Sequence, residues 1–275
     1  MGKGLSAEAK AFYAGNGYYA PIAIMSEAEA REARARIESL EARHPDAIPK
    51  LDMKATLLAP WLDELSRHAG FLDVVEGFFG PDILLWNSGF RTKEPRTRAF
   101  AGWHQDAMYI KVEPVLHFWM ALSPATAESG CLSVIPGSNR GPLLPHVDTK
   151  GTASFLTRGQ HITVPVDESR AIELELRPGE ALIFHPLLIH SSRPNVSGER
   201  RIAFIPSYCP TSAINHGPRD SAMLMRGVDR HRHFEPDPRP DAEMSAAAVE
   251  AHRLAATGAA GTMYRDTDRV PLALT

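Results

Sequence analysis

The sequence predicts a mainly β protein with flanking helices, in which the strands form a sandwich or a barrel. Two observations lead to this fold class. Short apolar or alternating runs come between Pro and Gly turn signals over residues 82–210, a pattern typical of antiparallel strands. Stretches with helical periodicity precede and follow this region. With no internal repeat and no clean linker, we expect one domain with a helical part (1–81), a β core (82–210) and a tail (211–275).

The helical part contains two predicted helices. In "SEAEAREARARIESLEAR", Ser26 stands at the N-cap and Glu29 follows three residues later, which is the pattern of a capping box. A second helix is predicted over "WLDELSRHAGFLDVVEGFFG", where Gly70 interrupts an apolar stripe and Gly80-Pro81 ends it. A short helix is also predicted in the tail, around "SAAAVEAHRLAAT".

The β core follows from seven short segments, each bounded by turn residues. These are "ILLWNSGF", "LHFWMALS", "CLSVIPGS", "HITVPV", "AIELELRPGE", "ALIFHPLLIHSS" and "RIAFIPSY".

Composition narrows the class of protein. A net charge of -3 and a pI near 6.5 argue against nucleic acid as a partner, since a duplex requires a clustered excess of Lys and Arg. Cys131 and Cys209 are the two cysteines, without a Cys-x-x-Cys pair, so neither a disulfide framework nor a thiolate zinc site is indicated, and we expect both to be buried. The sequence shows no secretory h-region and no apolar run of the ~20 residues that a membrane span needs, so we expect a cytoplasmic protein without a membrane partner.

The stretch "WHQDAMY" places His104 two residues before Asp106, so that on a strand both side chains point to the same face. A His-x-Asp pair alone is a weak signal, because two polar residues often share one face of a strand by chance. About 85 residues downstream, His190 ends an apolar strand. Two histidines and a carboxylate on separate strands would supply three ligands on one face of an octahedral ion, the arrangement of non-haem Fe(II) oxygenases.

Arg201 begins the strand after His190, across the turn "RPNVSGE". 2-Oxoglutarate would chelate iron through its keto acid end and present its far carboxylate deeper in the barrel. A guanidinium can hold that carboxylate with two charge-assisted hydrogen bonds, so Arg201 is predicted to bind it.

The sequence resembles the phytanoyl-CoA dioxygenase superfamily of Fe(II)/2-oxoglutarate oxygenases, in particular its bacterial small-molecule hydroxylases. The resemblance covers about residues 82–210 and is carried by "LLWNSGF", "WHQDAMY", "FWMALS", "GCLSVIPGSNRGPLLPH", "RPGEALIFHPLLIHSS" and "RRIAF". It implies a double-stranded β-helix, the jelly-roll or cupin-like core, with His104, Asp106 and His190 as iron ligands.

The resemblance also implies how the co-substrate is held. Arg201 would bind the 5-carboxylate of 2-oxoglutarate, helped by Ser192 and Trp119, and Asn87 stands where such proteins often place an amide near the co-substrate. Halogenating relatives have a small residue in place of the carboxylate ligand, so Asp106 disfavours halogenation. We therefore expect Fe(II), with 2-oxoglutarate and O₂ as co-substrates, and hydroxylation of a C–H bond with release of succinate and CO₂.

The substrate is expected to be a small, anionic metabolite such as a carboxylate or an organophosphonate. The basic segment "GFRTKEPRTRAFAGW" is predicted to form either a loop that recruits an anion at the mouth of the site or a solvated loop without that role. Three candidate substrate-binding residues are Arg98 in this segment, Tyr109 and Arg193. The tail around "NHGPRDSAMLMRGVDRHRHFEPD" is predicted to fold over the mouth as a lid.

The other histidines are expected to lie outside the metal site, and two other functions are compatible with part of the pattern. His117, His146 and His161 are expected to be surface or hydrogen-bonded structural residues, and His185 is expected to face away from His190 because five residues separate them on a strand. A zinc-dependent hydrolase could use the same three ligands, but it would give Arg201 no role. A non-catalytic cupin-like binding module is the other alternative.

Overall fold

The computed structural model describes residues 4–149, 153–154, 156, 158–265, 267 and 271–274, so residues 266, 268–270 and 275 of the predicted tail lie outside the described residues. The α-helices are α1 Ala7–Asn16, α2 Glu27–Arg43, α3 Pro60–Ser66, α4 Ala69–Phe79 and α5 Ala246–Met263. The strands are β1 Tyr18–Ala23, β2 Ile83–Asn87, β3 Phe90–Lys93, β4 Ala101–His104, β5 Val112–Glu113, β6 Leu116–Ala121, β7 Leu132–Val134, β8 His146–Val147, β9 His161–Ile162, β10 Ile172–Leu174, β11 Glu180–Phe184, β12 His190–Ser192, β13 Arg201–Phe204, β14 Ser207–Pro210, β15 Ile214–Asn215, β16 Ser221–Arg226 and β17 Glu235–Pro236.

Two sheets form the core of the fold. The larger has the order β1-β11-β6-β14-β2-β16-β17, and β13 joins it by pairing with β6 and β3. The smaller has the order β10-β7-β12-β4 and is antiparallel throughout. The structure thus confirms the predicted mainly β class with flanking helices and a jelly-roll core.

Strand β6 shows how the larger sheet divides its two faces. Phe118 packs edge-to-face on Phe71 of α4, with ring centroids 5.1 Å apart, inside the apolar cluster between the helices and the sheet. The neighbouring residues of the strand, His117 and Trp119, point to the opposite face because side chains alternate along a strand. The helices therefore cover one face of the larger sheet and leave the other for a cavity between the two sheets.

The predicted capping box of α2 is confirmed. The Ser26 hydroxyl accepts a hydrogen bond from the Glu29 backbone N–H at 3.2 Å, and the Glu29 carboxylate accepts one from the Ser26 N–H at 2.8 Å. The buried residues of the helix follow a spacing of three or four, so one face packs on the core. These residues are Ala30, Ala33, Ile37 and Leu40.

The single helix predicted for the second helical stretch is wrong, because two helices, α3 and α4, occupy it. The break falls at Arg67 and His68, where the His68 ring nitrogen Nδ1 accepts a hydrogen bond from the Gly70 N–H at 3.1 Å and caps α4. Gly70 is helical and has a different role. A Cβ at this position would lie 2.1 Å from the Ile24 carbonyl oxygen, so glycine permits the close approach of two backbones.

Strands outside residues 82–210 also join the larger sheet. β1, which sequence reasoning missed, pairs with β11 at the sheet edge, where Pro21 can be tolerated because an edge strand needs fewer N–H donors. β16 pairs with β2, so this part of the tail is a strand of the larger sheet, and a lid role for the tail stays a prediction. Cys131 and Cys209 are buried and unbridged, as expected. Among the residues described, no helix has both the length and the apolar composition needed to cross a bilayer.

Candidate active site

The three predicted metal ligands meet between neighbouring strands of the smaller sheet. His104 ends β4, His190 begins β12, and the two residues are opposite each other in the strand register. Asp106 begins a short 3-10 turn after β4, and its Oδ1 lies 3.5 Å from His104 Nε2 and 3.7 Å from His190 Nε2. All three side chains are buried, and their ligand atoms lie within 4.8 Å of one another. This geometry can hold one metal ion.

Hydrogen bonds set the orientation of both imidazoles. His104 Nδ1 lies 2.8 Å from the Gly102 carbonyl oxygen, and His190 Nδ1 lies 2.9 Å from the Leu188 carbonyl oxygen. A carbonyl only accepts, so each Nδ1 carries the proton and each Nε2 turns its lone pair towards Asp106. This second-sphere hydrogen bond is the usual one for histidines that bind a metal.

The charges of the site also favour metal binding. Burial opposes ionisation of Asp106, but His190 and His104 outweigh it and lower the pKa of this carboxyl. Burial and the neighbouring His104 lower the pKa of His190 to about 4. The cluster at neutral pH is a carboxylate with neutral imidazole, the donor set that suits Fe(II) and other divalent first-row ions. Tyr109 donates its hydroxyl hydrogen to Asp106 Oδ1, and burial raises the pKa of Tyr109, so this proton is retained.

Arg201 lies deep in the barrel, on β13, with 1% of its surface exposed. Its Nη1 donates to the Gly130 carbonyl oxygen at 2.7 Å, and its guanidinium lies over the Trp119 ring, 5.1 Å from the centroid. Its Nε is buried and has no hydrogen-bond partner in the described structure. A buried cation with an unsatisfied donor fits an anionic ligand such as the far carboxylate of 2-oxoglutarate, because burial without a partner is otherwise costly.

A second cation, Lys93, lies beside Arg201, and sequence reasoning assigned it to a loop. Lys93 is on β3, opposite Arg201 in the strand register, with 1% of its surface exposed. Its Nζ donates to the Ser192 hydroxyl at 2.8 Å and to the Arg193 carbonyl oxygen. Burial and the charge of Arg201 lower the pKa of Lys93 to about 6. Ser192 therefore links Lys93 to the predicted co-substrate site.

One cavity between the two sheets collects most of the predicted site residues. It is lined by His104, Asp106, Tyr109, Trp119, His190, Ser192 and Asn87. Arg201 does not line it but contacts Trp119, which does. Asn87 uses its side-chain oxygen to accept the Lys54 backbone N–H at 2.9 Å.

Two of the candidate substrate-binding residues are not brought into this cavity. Arg98 is exposed and does not line it. Arg193 has a side chain that is 76% exposed and lies 3.5 Å from a Glu173 carboxylate oxygen. The basic segment does not form one loop, because its first part is strand β3, which carries Arg91 and Lys93.

Sequence reasoning missed five polar residues of the cavity, namely Arg91, His117, Gln160, Ser191 and Ser207. His117 lines it from β6, beside Ser207 of the neighbouring strand, and its Nδ1 lies 2.7 Å from the Ser207 hydroxyl. The hydrogen bond to Ser207 is consistent with the structural role expected for His117. That role did not predict that His117 lines the cavity. Arg91 lines the cavity from β3. The one available signal was strand alternation, which places His117 on the same face as Trp119.

This fold and this site define the class of the Fe(II)- and 2-oxoglutarate-dependent oxygenases, because a jelly roll holds a His-x-Asp…His cluster beside a buried arginine. Comparison with known proteins gives the family. The family profile described as phytanoyl-CoA dioxygenase matches residues 13–203. The chain therefore belongs to the phytanoyl-CoA dioxygenase family, and it is a 2-oxoglutarate-dependent dioxygenase that uses Fe(II) and O₂.

Individual relatives agree with this placement. A probable phytanoyl-CoA dioxygenase of Caenorhabditis elegans is 28% identical over 222 residues, which is 70% of this chain and 71% of the nematode protein. The match to the peroxisomal phytanoyl-CoA dioxygenase of Bos taurus is shorter. It has 31% identity over 147 residues, which is 49% of this chain and 43% of the bovine protein. Among solved structures, the apo non-haem monooxygenase ThoJ superposes with a TM-score of 0.83 at 26% identity, over 93% of this chain and 97% of ThoJ.

Proposed function

We propose that the protein hydroxylates an unactivated C–H bond of a small, anionic metabolite, either a carboxylate or an organophosphonate, and releases succinate and CO₂. The observation that carries this proposal is the buried cluster of His104, Asp106 and His190 in one cavity with the co-substrate residues. The presence of Asp106 favours hydroxylation over halogenation, since a third protein ligand occupies the coordination position that a halide would need.

Each residue of the site has a proposed role. His104, Asp106 and His190 hold Fe(II), which when bound supplies the activation of O₂ and the oxidative decarboxylation of 2-oxoglutarate. Arg201 binds the 5-carboxylate of the co-substrate through its unpartnered Nε, Ser192 contributes a hydroxyl, and the Trp119 ring packs on the guanidinium. Asn87 lies at the co-substrate end with its amide.

The remaining side chains of the cavity position the substrate and exclude water. Tyr109 retains its hydroxyl proton, donates it in a hydrogen bond to the Asp106 oxygen, and presents its ring to the substrate. Arg98 and Arg193 remain predicted substrate residues, and because both are exposed they could meet an anion at the entrance only.

The experiment that tests the proposal is an anaerobic titration of the apoprotein with Fe(II) and then 2-oxoglutarate, followed by visible absorption. A weak charge-transfer band should appear only with both additions. In Arg201→Ala the band should require at least about tenfold more 2-oxoglutarate, because a hydrogen-bonded charge contributes about 1.5–3 kcal/mol. Arg200→Ala is the matched control, since Arg200 binds Glu41 at the surface, 2.6 Å away, and should titrate like the wild type.

A second measurement addresses the substrate. Small carboxylates and phosphonates are screened for substrate-stimulated succinate release, with mass spectrometry of the organic product. Absence of the band, with or without bound iron, would contradict the oxygenase centre, and metal-dependent ester hydrolysis without 2-oxoglutarate would then favour the zinc hydrolase. Iron binding without succinate release from any candidate would favour the binding module.

A further inference from the structure

Arg91 lines the cavity, and three of its five N–H donors, those on Nε and Nη2, form no hydrogen bond in the described part of the chain. Its Nη1 donates to the Asp52 carboxylate at 2.6 Å, to the Asp52 carbonyl oxygen at 3.2 Å and to the Phe90 carbonyl oxygen at 3.0 Å. A guanidinium has five N–H donors, and Nη1 carries two of them. In the described part of the chain, no hydrogen bond involves Nε or Nη2, the pair that forms the second edge of the guanidinium fork.

The position of Arg91 suits a ligand in the cavity and excludes a purely surface role. Its side chain keeps 21% of its surface accessible, and the residue lines the same cavity as His104, Asp106 and Tyr109. Arg201 makes different contacts, because its guanidinium lies over the Trp119 ring and donates to the Gly130 carbonyl oxygen. One guanidinium group therefore lines the cavity and a second lies next to it, whereas 2-oxoglutarate has one carboxylate to place away from the metal.

We propose that the second edge of Arg91 binds the anionic group of the substrate and so determines which end of the molecule enters first. This inference rests on the proposed function and replaces the exposed Arg98 and Arg193 as the source of anion recognition. A carboxylate and a phosphonate both present two oxygens that match the Nε and Nη2 donors. A neutral amide presents one acceptor oxygen and an NH₂ group that faces another donor, so it should be rejected.

Local charges support an anion rather than a neutral group at this position. Burial lowers the pKa of Arg91, but the neighbouring Asp52 outweighs it, so the guanidinium remains charged. Asp52 engages one edge only and leaves the other to the cavity. An anion on that edge would gain charge-assisted hydrogen bonds in a mostly buried site, where they are stronger than in water.

The test uses hexanoate, hexylphosphonate and the neutral isostere hexanamide as probes, titrated calorimetrically into the anaerobic complex of the full chain with Fe(II) and 2-oxoglutarate. Wild type should bind both anions and bind hexanamide at least tenfold more weakly. Arg91→Gln should lose at least tenfold in affinity for the anions and little for hexanamide. Arg91→Lys keeps the charge but not the fork, and should lie between the two. Arg31→Gln, on exposed helix α2, is the control for a lost surface arginine.

Two further variants separate recognition from folding. Asp52→Asn keeps Arg91 and removes the carboxylate that competes for it, so the anions should bind at least as tightly as to wild type. In the double variant Asp52→Asn/Arg91→Gln no unpaired charge is left behind, and a wild-type circular dichroism spectrum and melting temperature would show that a loss of anion binding there is not caused by misfolding. Equal binding of acids and amide, or wild-type affinity in Arg91→Gln, would overturn the inference.

The charge-transfer band distinguishes failure of this inference from failure of the proposed function. Arg91→Gln should form the band at wild-type concentrations of 2-oxoglutarate. A wild-type protein that forms the band but binds neither anion would overturn the role of Arg91 and leave the oxygenase centre intact. If Arg98→Gln, rather than Arg91→Gln, lost anion binding, recognition would lie at the exposed loop. Absence of the band in the wild type would remove the proposed function itself.

Discussion

His104 and His190 stand opposite each other on paired strands, with their imidazole centroids 4.0 Å apart and both Nδ1 atoms held by backbone carbonyls. The backbone of β4 and of the turn before β12 therefore orients both rings. Such preorganisation fixes which nitrogen of each ring faces Asp106.

Removal of one of these rings should abolish tight iron binding. For His190→Ala we expect the Fe(II) affinity to fall more than about 100-fold, because loss of a residue that only orients a ligand already costs about 10–100-fold. Anaerobic Fe(II) titration with calorimetric readout measures this. His185→Ala is the control, since His185 Nδ1 accepts the Leu187 N–H at 3.1 Å and does not line the cavity. Stoichiometric iron in His190→Ala would contradict the assignment.

Chloride should have no effect on the product. The proposed third ligand is Asp106, which would leave a halide no vacated protein position at the metal. Reactions with any acid that stimulates succinate release are run in chloride and in acetate buffers, and products are compared by mass spectrometry. We expect the same hydroxylated mass in both buffers. A chlorinated product that depends on chloride would show that Asp106 does not exclude halide.

Binding of 2-oxoglutarate should take up a proton at Lys93. The pKa of Lys93 is lowered to about 6 by burial and by Arg201, so above pH 6 the amine is neutral before the co-substrate arrives. The dianion favours the ammonium form and raises this pKa. Affinity for 2-oxoglutarate should therefore be highest near or below pH 6 and weaken as the pH rises above it.

Calorimetry in buffers of different ionisation enthalpy measures the proton directly. At pH 7.5 we expect uptake of nearly one proton in the wild type and much less in Lys93→Met, which keeps the length and apolar stem of the side chain. Lys50→Met is the control, because Lys50 lies outside the cavity and pairs with exposed Asp46 at 3.6 Å. Equal uptake by wild type and Lys93→Met would exclude Lys93 as the group that titrates.

We expect His117 to contribute to activity without stabilising the fold. Its Nε2 is buried without a hydrogen-bond partner in the described structure, and burial lowers its pKa to about 4. His117→Leu removes this unsatisfied nitrogen but also the 2.7 Å hydrogen bond to Ser207, so its two effects on stability oppose each other. His117→Leu should therefore unfold near the wild-type denaturant concentration, yet lose at least about tenfold in kcat/KM, which equals about 1.4 kcal/mol of transition-state stabilisation.

The comparison of urea unfolding with succinate release under saturating iron separates these effects. His161→Leu, outside the cavity, is the control for a lost histidine. A variant at His117 that loses stability and keeps its activity would show a structural role only.

The sequence was informative where local spacing carried the chemistry. His104 and Asp106 could be paired from a two-residue spacing, and Arg201 followed from its place after the distal histidine and from the shape of 2-oxoglutarate. The structure brings His104 and Asp106 together with His190 in one buried cluster. The capping box at Ser26 and Glu29 was equally predictable, because both of its partners lie within one turn.

What could not be predicted depended on strand register between distant segments. Lys93 and Arg91 looked like members of a charged loop until pairing with β13 placed Lys93 beside Arg201 and Arg91 beside Ala203. For His117 the sequence offered only strand alternation with Trp119, which does not distinguish a residue that lines the cavity from a buried structural one. Likewise, β1 lies in a stretch with a proline, and its pairing with β11 is made by residues more than 150 positions away.

The tail is tied to the core by a buried lysine, and loss of this lysine should destabilise the whole fold. Lys54 is 3% exposed, and its Nζ donates to the Trp86 carbonyl oxygen at 2.7 Å and to the Ser221 carbonyl oxygen at 2.6 Å. Its Nζ also lies 3.7 Å from Asp220 and 3.5 Å from Asp237, two carboxylates of the tail.

In Lys54→Met both carboxylates would remain buried without this cation, so we expect a loss of about 3–5 kcal/mol in the free energy of unfolding. Chemical denaturation measures this loss. Arg31→Gln is the control, because it breaks an ion pair with Glu27 whose side chains are 62% and 60% exposed, and it should cost less than about 1 kcal/mol. Asp220 also accepts the Trp86 indole N–H at 2.7 Å, and Trp86 lines the cavity, so the variant should disturb substrate binding as well. A loss no larger than that of the surface control would mean that the tail is held by its apolar contacts instead.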